Sequence, residues 1–258
     1  MSANGTKAKV YVILGSHACR TGTLMLEHKG IPYRAVTLPS GLHPLILRLR
    51  GLSENRGTVR RVDGRRPRAL AGADRLGTVP LLRMDGRSVQ TNREIARFLD
   101  RVHPDPPLLP VESGRRREVE AAELWGDEVF QMTARRIVLT AALQGPDALF
   151  DRAGDGRLGP LLWRNDLIRL IGARMLGRMA FRASERAEAE LLASVPSMLD
   201  RVDGWIEAGV LNGDHLNAAD FMVVTSLALL TYRRDLRPEV EGRPSGRLVD
   251  RVLPQPSR

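Results

Sequence analysis

Several residue types are scarce in this 258-residue chain, and each shortage excludes a class of structure or chemistry. Cys19 is the only cysteine, so the sequence excludes an internal disulfide and a multi-cysteine metal site, and we expect no metal. The chain has no uncharged apolar run of membrane-spanning length, and its first residues lack the hydrophobic segment of a secretory signal. We therefore expect a cytoplasmic protein without a membrane span.

Aromatic residues and lysines are also few. Aromatics make up only 4% of the chain, so Leu, Val, Ile and Ala must fill the core, and a hydrophobic content of 43% is ample for that. The net charge of +10 rests on 37 arginines and only three lysines. A basic chain can indicate a nucleic-acid partner. So strong an arginine bias beside abundant Ala, Gly and Leu is typical of a GC-rich genome, and we expect no specific nucleic acid.

Two groups of arginines keep association with an acidic surface open as a third interpretation. An anionic membrane or a nucleic acid could bind them electrostatically, although such runs are usually solvated charge and no aromatic residues interleave with them. The groups are Arg60, Arg61, Arg65, Arg66 and Arg68, and, along an apolar helix, Arg164, Arg174, Arg178 and Arg182.

The first part of the chain alternates strand and helix patterns. Val10–Leu14 is a short apolar run that predicts a buried strand, followed by a helix that stops at Gly30. Tyr33–Leu38 predicts the second strand, and Leu42–Leu49 has the apolar spacing of a short helix. Residues 50–76 are rich in Arg and Gly and poor in apolar residues, which indicates a solvated basic insertion.

A Val79-Pro80 bond leads into the next apolar strand, which a turn at Asp85-Gly86 separates from a further strand and helix. Proline lacks a ladder donor and is tolerated at a strand start. Only an X-Pro bond readily adopts the cis form, and we expect it here. The amide and carbonyl of Val79 would then point outward, towards a ligand.

The later part of the chain is entirely helical in pattern. A proline-rich linker at 102–110 marks the boundary, so we predict one domain at 8–102 and a second at 111–232. Long helices are expected at 118–143, 161–181 and 185–208. Asn217 and Asp220 predict a capped helix start before a run that is apolar on nearly every side. Residues 233–258 are interpreted as a loosely packed tail.

The order and spacing of these motifs resemble the glutathione S-transferase family. The motifs are Val10–Cys19, Leu26–Tyr33, Gly77–Leu82 with the following Thr91–Leu99, and Asn217–Asp220. The resemblance covers residues 9–50 and 77–110 and extends more weakly to about residue 232. It implies an α/β thioredoxin-like N-terminal domain followed by an all-α helical-bundle C-terminal domain.

By this resemblance Ser16 and Cys19 are the candidate catalytic residues. Such an enzyme lowers the thiol pKa of glutathione, and a hydroxyl at the start of the first helix can help because the helix end favours negative charge. Ser16 stands where the serine-type classes place that hydroxyl; a simple N-cap is the alternative. Cys19 is either a packed first-turn residue or a covalent nucleophile, and a dithiol mechanism is excluded. His17 is interpreted as a surface loop residue.

The predicted thiol-ligand-binding residues are Val79, Pro80, Thr91 and Asn92. The family typically has Glu-Ser where this chain has Thr91-Asn92, and we expect Asn92 to cap the helix and offer donors to a carboxylate. The missing acid removes the usual partner of the glutathione ammonium group. The co-substrate is therefore glutathione or another low-molecular-weight thiol. Glu94 is a less favoured replacement acid, expected to face solvent or to pair with Arg93 or Arg97.

The resemblance implies an enzyme that transfers the thiol to a hydrophobic electrophile, in the manner of detoxification, and a homodimer is left open. The alternative is a non-catalytic binding or scaffolding module, because a fold does not by itself imply an activity. The change at Thr91-Asn92 is the feature that favours this alternative.

Overall fold

The computed structural model describes residues 8–39, 42–52, 79–144, 158 and 185–254. The first half has four strands and three helices: β1 Ala8–Val12, α1 His17–His28, β2 Tyr33–Thr37, α2 His43–Leu49, β3 Leu81–Met84, β4 Arg87–Gln90 and α3 Asn92–Val102. The predicted insertion lies outside the described residues from position 53 onward, and so does the helix expected at 161–181.

The four strands form one mixed sheet in the order β2-β1-β3-β4. β1 pairs in parallel with β2, and β3 runs antiparallel to both β1 and β4. In β1, Ala8 and Val10 are buried and Lys9 between them is exposed, as the alternation of a strand requires. One face packs in the same core as α1 and α3, and the other packs on α2 through Tyr11, Leu47 and Leu81. This is the predicted thioredoxin-like arrangement.

The second half is helical. Its elements are α4 Ser113–Trp125, a π-helical segment Gly126–Phe130, α5 Gln131–Gln144, α6 Glu185–Glu207, α7 Ala218–Leu230, α8 Arg237–Glu241 and α9 Pro244–Val252. Every residue of α7 is buried, and this helix contacts α1, α4, α5 and α9. The predicted capping box is present. The Asn217 side chain accepts a hydrogen bond from the amide of Asp220, and the Asp220 side chain accepts one from the amide of Asn217.

The loose packing predicted for the tail is wrong for residues 236–253. Leu236, Val240, Leu248 and Leu253 are all buried in the main core. They belong to α8, α9 and their flanking residues, where apolar side chains recur at helical spacing between Arg, Pro and Gly. Composition alone concealed that spacing, because the polar residues outnumber the buried ones.

Two properties of the described part of the chain bear on function. None of its helices is long and apolar enough to cross a bilayer. Within the same residues, no three His, Cys, Asp or Glu side chains are grouped so that they could hold a metal ion.

Candidate functional site

Three predicted site segments meet at one end of the sheet. Tyr11 of β1 pairs with Leu81 of β3, which pairs with Gln90 of β4. Beyond this row, β1 leads to the start of α1, Val79-Pro80 precedes β3, and Thr91 follows β4. The antiparallel pairing of β3 with both neighbours is the reason that segments far apart in sequence share this end.

Gly22 allows α1 to approach the other two segments closely. A Cβ atom at Gly22 would lie 3.0 Å from Cγ of Pro80 and 3.1 Å from Oδ1 of Asn92. The Val79-Pro80 bond is cis, which confirms the prediction. The missing Cβ atom at Gly22 therefore allows this close contact between α1, Pro80 and Asn92, a role that the sequence analysis missed.

Ser16 is the N-cap of α1. Its backbone is extended, and its Oγ accepts a hydrogen bond from the amide of Cys19 at 3.2 Å. A serine hydroxyl that accepts one bond still has its own proton to donate. The first amides of α1 and the helix dipole also favour a negative charge at this position. Capping and activation of a thiol are thus compatible at Ser16, and the two interpretations do not exclude each other.

Cys19 is buried in the first turn of α1. Burial raises the pKa of its thiol, and hydrogen bonds with the Ser16 side chain and the Ile13 backbone only partly oppose this effect. A thiol with a raised pKa is a poor nucleophile, since the thiolate is the reactive form. The geometry therefore favours a packed first-turn residue at Cys19 over a covalent nucleophile.

His17 is buried, so its interpretation as a surface residue is wrong. Burial, and then the charge of Arg135, lower the pKa of His17 to about 3, although a hydrogen bond with the Gln131 backbone opposes the shift. Both of these neighbours belong to α5. The first turn of α1 therefore contacts the helical half of the chain. The imidazole of His17 is neutral at physiological pH.

Thr91, rather than Asn92, caps α3. Thr91 Oγ1 accepts from the amide of Glu94 at 3.3 Å, and its φ of 69° is uncommon for a residue other than glycine. Such backbone strain is often found at functional sites. Asn92 is buried, and its Nδ2 donates to the carbonyl of Ala18 at 2.9 Å. The capping role predicted for Asn92 is wrong, and its side chain instead joins α3 to α1.

A buried carboxylate at the boundary with the helical half was missed by the sequence analysis. Arg97 of α3 pairs with Glu123 of α4 at 2.7 Å, and Arg93 lies 3.7 Å from the same carboxylate. Burial raises the pKa of Glu123 to about 7, against the lowering effect of Arg97 and Arg93. Glu94 is exposed, as expected, but does not pair with either arginine. The one signal in the sequence is that Glu123 follows the buried Val119 by four residues, on the same helix face.

Comparison with known proteins relates the N-terminal half of this arrangement to a family. Residues 10–107 match the family model described as the glutathione S-transferase N-terminal domain. The chain carries the N-terminal domain of the glutathione S-transferase family. The resemblance indicated by the sequence motifs is therefore confirmed. No curated protein is significantly similar to the chain in sequence.

Solved structures extend the likeness over both halves of the fold. A glutathione S-transferase from Rhodospirillum rubrum F11 is 18% identical, with a TM-score of 0.59 over 96% of this chain and 89% of that one. The beta-etherase LigF from Sphingobium sp. strain SYK-6 is 17% identical, with a TM-score of 0.62 over 97% and 96%. A Ceriporiopsis subvermispora glutathione S-transferase in complex with glutathione is 17% identical, with a TM-score of 0.60 over 95% and 98%. At these identities the comparison establishes the fold.

Proposed function

We propose that the protein binds glutathione or another low-molecular-weight thiol at the start of α1 and transfers it to a hydrophobic electrophile. The observation that carries the proposal is the position of Ser16, at the N-terminus of α1 and at the same end of the sheet as Pro80 and Thr91. Similar structures are complexes with glutathione, from Ceriporiopsis subvermispora, and with glutathione sulfonate, from Methylobacterium radiotolerans.

The chemistry requires the thiol to lose its proton before it reacts, because the thiolate is the nucleophile. The Ser16 hydroxyl donates a hydrogen bond to the thiolate sulfur, and the N-terminal dipole of α1 stabilises the same charge. Both effects lower the pKa of the bound thiol, whose proton passes to solvent. The sulfur then forms a bond with the electrophilic carbon, whose leaving group departs with the electron pair of the broken bond.

The rest of the thiol molecule, beyond its sulfur atom, binds along the edge formed by Val79 and Thr91. Val79 lies two residues before the start of β3, and its amide and carbonyl pair with the extended peptide part of the ligand in this proposal. The first amides of α3, which follow Thr91, can hold a ligand carboxylate. Asn92 contributes by holding α1 in place, through its bond with Ala18. A homodimer and a cytoplasmic location belong to the same proposal.

A non-catalytic binding module is the second candidate. It is favoured by the Thr91-Asn92 turn, where the family typically has a Glu-Ser pair, and by the exposed position of Glu94. Losing a charged hydrogen-bond partner commonly costs about 1.5–3 kcal/mol, enough to weaken glutathione relative to a thiol without an ammonium group. Such a module would bind the thiol without lowering its pKa.

The experiment combines calorimetric titration with ultraviolet difference spectra of the bound thiol between acid and neutral pH. We expect the wild type to bind one equivalent of glutathione or of another small thiol and to lower its pKa. Ser16→Ala and Ser16→Gly should both lose the thiolate signal. Ser113→Ala, which changes an exposed serine at the start of α4, is the matched control and should retain it.

The two Ser16 variants separate activation from capping. Replacing a capping serine by alanine costs about 1 kcal/mol, and replacing it by glycine costs only a few tenths of that. If Ser16 is merely a cap, Ser16→Ala loses stability and neither variant changes the thiol pKa. Thiol binding with an unchanged pKa in the wild type would favour the binding module. No binding of any thiol would overturn the proposed transfer and leave a binding or scaffolding module for other partners.

A further inference from the structure

A cavity of about 540 Å³ lies at the end of the sheet opposite to Ser16. It opens between the residues that follow α2, the hairpin joining β3 to β4, and the C-terminal half of α3. We call it the arginine cavity, because its polar lining includes Arg50, Arg83, Arg87 and Arg101 together with Ser88. The antiparallel pairing of β3 and β4 separates this hairpin from the Pro80–Thr91 end, so the arginine cavity is distinct from the proposed thiol site.

The four arginines of the cavity are exposed, and none pairs with a carboxylate in the described part of the chain. This differs from Arg97, Arg233 and Arg243, which all form ion pairs. The hairpin turn contains one acidic residue, Asp85, which forms no ion pair with the cavity arginines. Four cations that share one concave surface repel one another, and a bound anion would relieve that repulsion.

The strand register extends the basic surface beyond the cavity. Arg83 lies directly opposite Ser88 on one side and Lys9 on the other, and Lys9 lies opposite Arg34. Directly paired residues point to the same face of a sheet, and all four are exposed. A row of three cations and one hydroxyl therefore crosses the sheet and ends at the cavity.

The chemistry of the lining suits an anion with several negative charges and does not suit nucleic-acid bases. A guanidinium group presents a planar fork of donors that matches the paired oxygens of a phosphate or a carboxylate, and linked phosphates supply several such oxygen pairs in a small molecule. The one aromatic residue in the described lining is Phe98, and it is almost fully buried, so it offers no ring for a base to stack upon.

We propose that the arginine cavity binds a small molecule that carries two or more linked phosphate groups. Neighbouring phosphates would each engage one or two guanidinium groups, with the Ser88 hydroxyl as a further donor. A soluble metabolite and the head group of a phosphorylated lipid share this chemistry. This binding site is independent of the thiol proposal, since no residue is common to the two sites.

The test is calorimetric titration of the full chain with sodium tripolyphosphate at physiological ionic strength. We expect one equivalent to bind, and Arg83→Gln/Arg87→Gln to weaken the affinity at least about tenfold, because the double variant loses the charge-assisted hydrogen bonds of two guanidinium groups. Arg117→Gln/Arg247→Gln is the matched control. It removes the same charge from exposed arginines on α4 and α9, outside the cavity, and should change the affinity less than about twofold, as expected for distant surface charge.

Three results would overturn the proposal: no binding of tripolyphosphate, an equal loss of affinity in both double variants, or equal affinity for sulfate. The first leaves the cavity without a ligand of this class, the second shows bulk attraction to a basic protein, and the third shows an adventitious anion site. Sedimentation with phosphatidylcholine vesicles that contain a phosphoinositide bisphosphate distinguishes the sources. Vesicle binding that Arg83→Gln/Arg87→Gln abolishes identifies a lipid head group, and tripolyphosphate binding alone identifies a soluble ligand.

Discussion

The ammonium group of Lys29 lies 2.8 Å from Oδ1 of Asp100, and the Lys29 side chain is completely buried. Its Nζ also donates to the carbonyls of His103 and Pro106, at 2.6 and 2.7 Å. The carboxylate of Asp100 accepts the amides of Leu108 and its neighbour, each at 2.9 Å. This pair therefore holds the proline-rich segment against the ends of α1 and α3, and the segment is packed rather than a free spacer.

Lys29→Met should destabilise the fold by about 3–5 kcal/mol, because it leaves Asp100 and two carbonyls without their cation in a buried place. Denaturant unfolding followed by circular dichroism measures the change. Lys9→Met removes the same charge from an exposed strand position, and it should change stability by less than about 0.5 kcal/mol. Equal stability of the two variants would show that the buried ion pair contributes little.

Gly22→Ala should disturb the proposed thiol site. The new methyl group would lie 3.0 Å from Cγ of Pro80 and 3.1 Å from Oδ1 of Asn92, and overpacking of this kind costs about 1–3 kcal/mol. We expect lower stability together with weaker thiol binding, measured by unfolding and by calorimetric titration.

Gly204→Ala is the control for this prediction. A Cβ atom at Gly204 meets nothing within 4 Å, and the residue is exposed in the last turns of α6. Alanine should therefore stabilise the helix, by up to about 1 kcal/mol, and leave thiol binding unchanged. A Gly22→Ala protein with wild-type stability and thiol affinity would show that α1 can move away from Pro80 without consequence.

Glu123 should make stability dependent on pH. Burial raises its pKa from 4.5 to about 7 in the folded protein, with Arg97, Arg93 and Asp127 as the charged neighbours. A group with a raised folded-state pKa contributes its full stability below the unfolded value, and that contribution is lost as pH rises through the folded value. The wild type should therefore lose stability relative to Glu123→Gln between about pH 5 and pH 8.

The measurement is the free energy of unfolding of both proteins across that range. Glu94→Gln, which changes an exposed carboxylate on α3, should follow the wild type at every pH. A constant difference between wild type and Glu123→Gln would mean that Glu123 is charged throughout, with Arg97 compensating fully for its burial.

Local patterns predicted most of the secondary structure. The first strand, predicted at Val10–Leu14 and observed at Ala8–Val12, and the capping box at Asn217 and Asp220 depend on residues that are neighbours in sequence, and both are present. The cis Val79-Pro80 bond belongs to the same group, because only an X-Pro bond adopts that form readily. The family resemblance extended these local patterns to the whole fold.

Three expectations failed because they depended on contacts between distant segments. His17 is buried by α5, residues near the C-terminus return to the core through α8 and α9, and the Asn92 amide is used by the carbonyl of Ala18. In each case a polar residue or a polar-rich segment was interpreted by its composition, whereas its surroundings come from another part of the chain.

The sequence by itself determined the order of strands and helices, which helix is central, and that a hydroxyl stands at the start of α1, because caps, breakers and periodicity act over a few residues. The tertiary structure alone decided which polar groups are buried and with what they pair. Glu123 between Arg97 and Arg93, and the grouping of four arginines around the cavity, depend on that long-range packing. Burial and charge pairing depend on the three-dimensional neighbours of a group, and chain order does not record them.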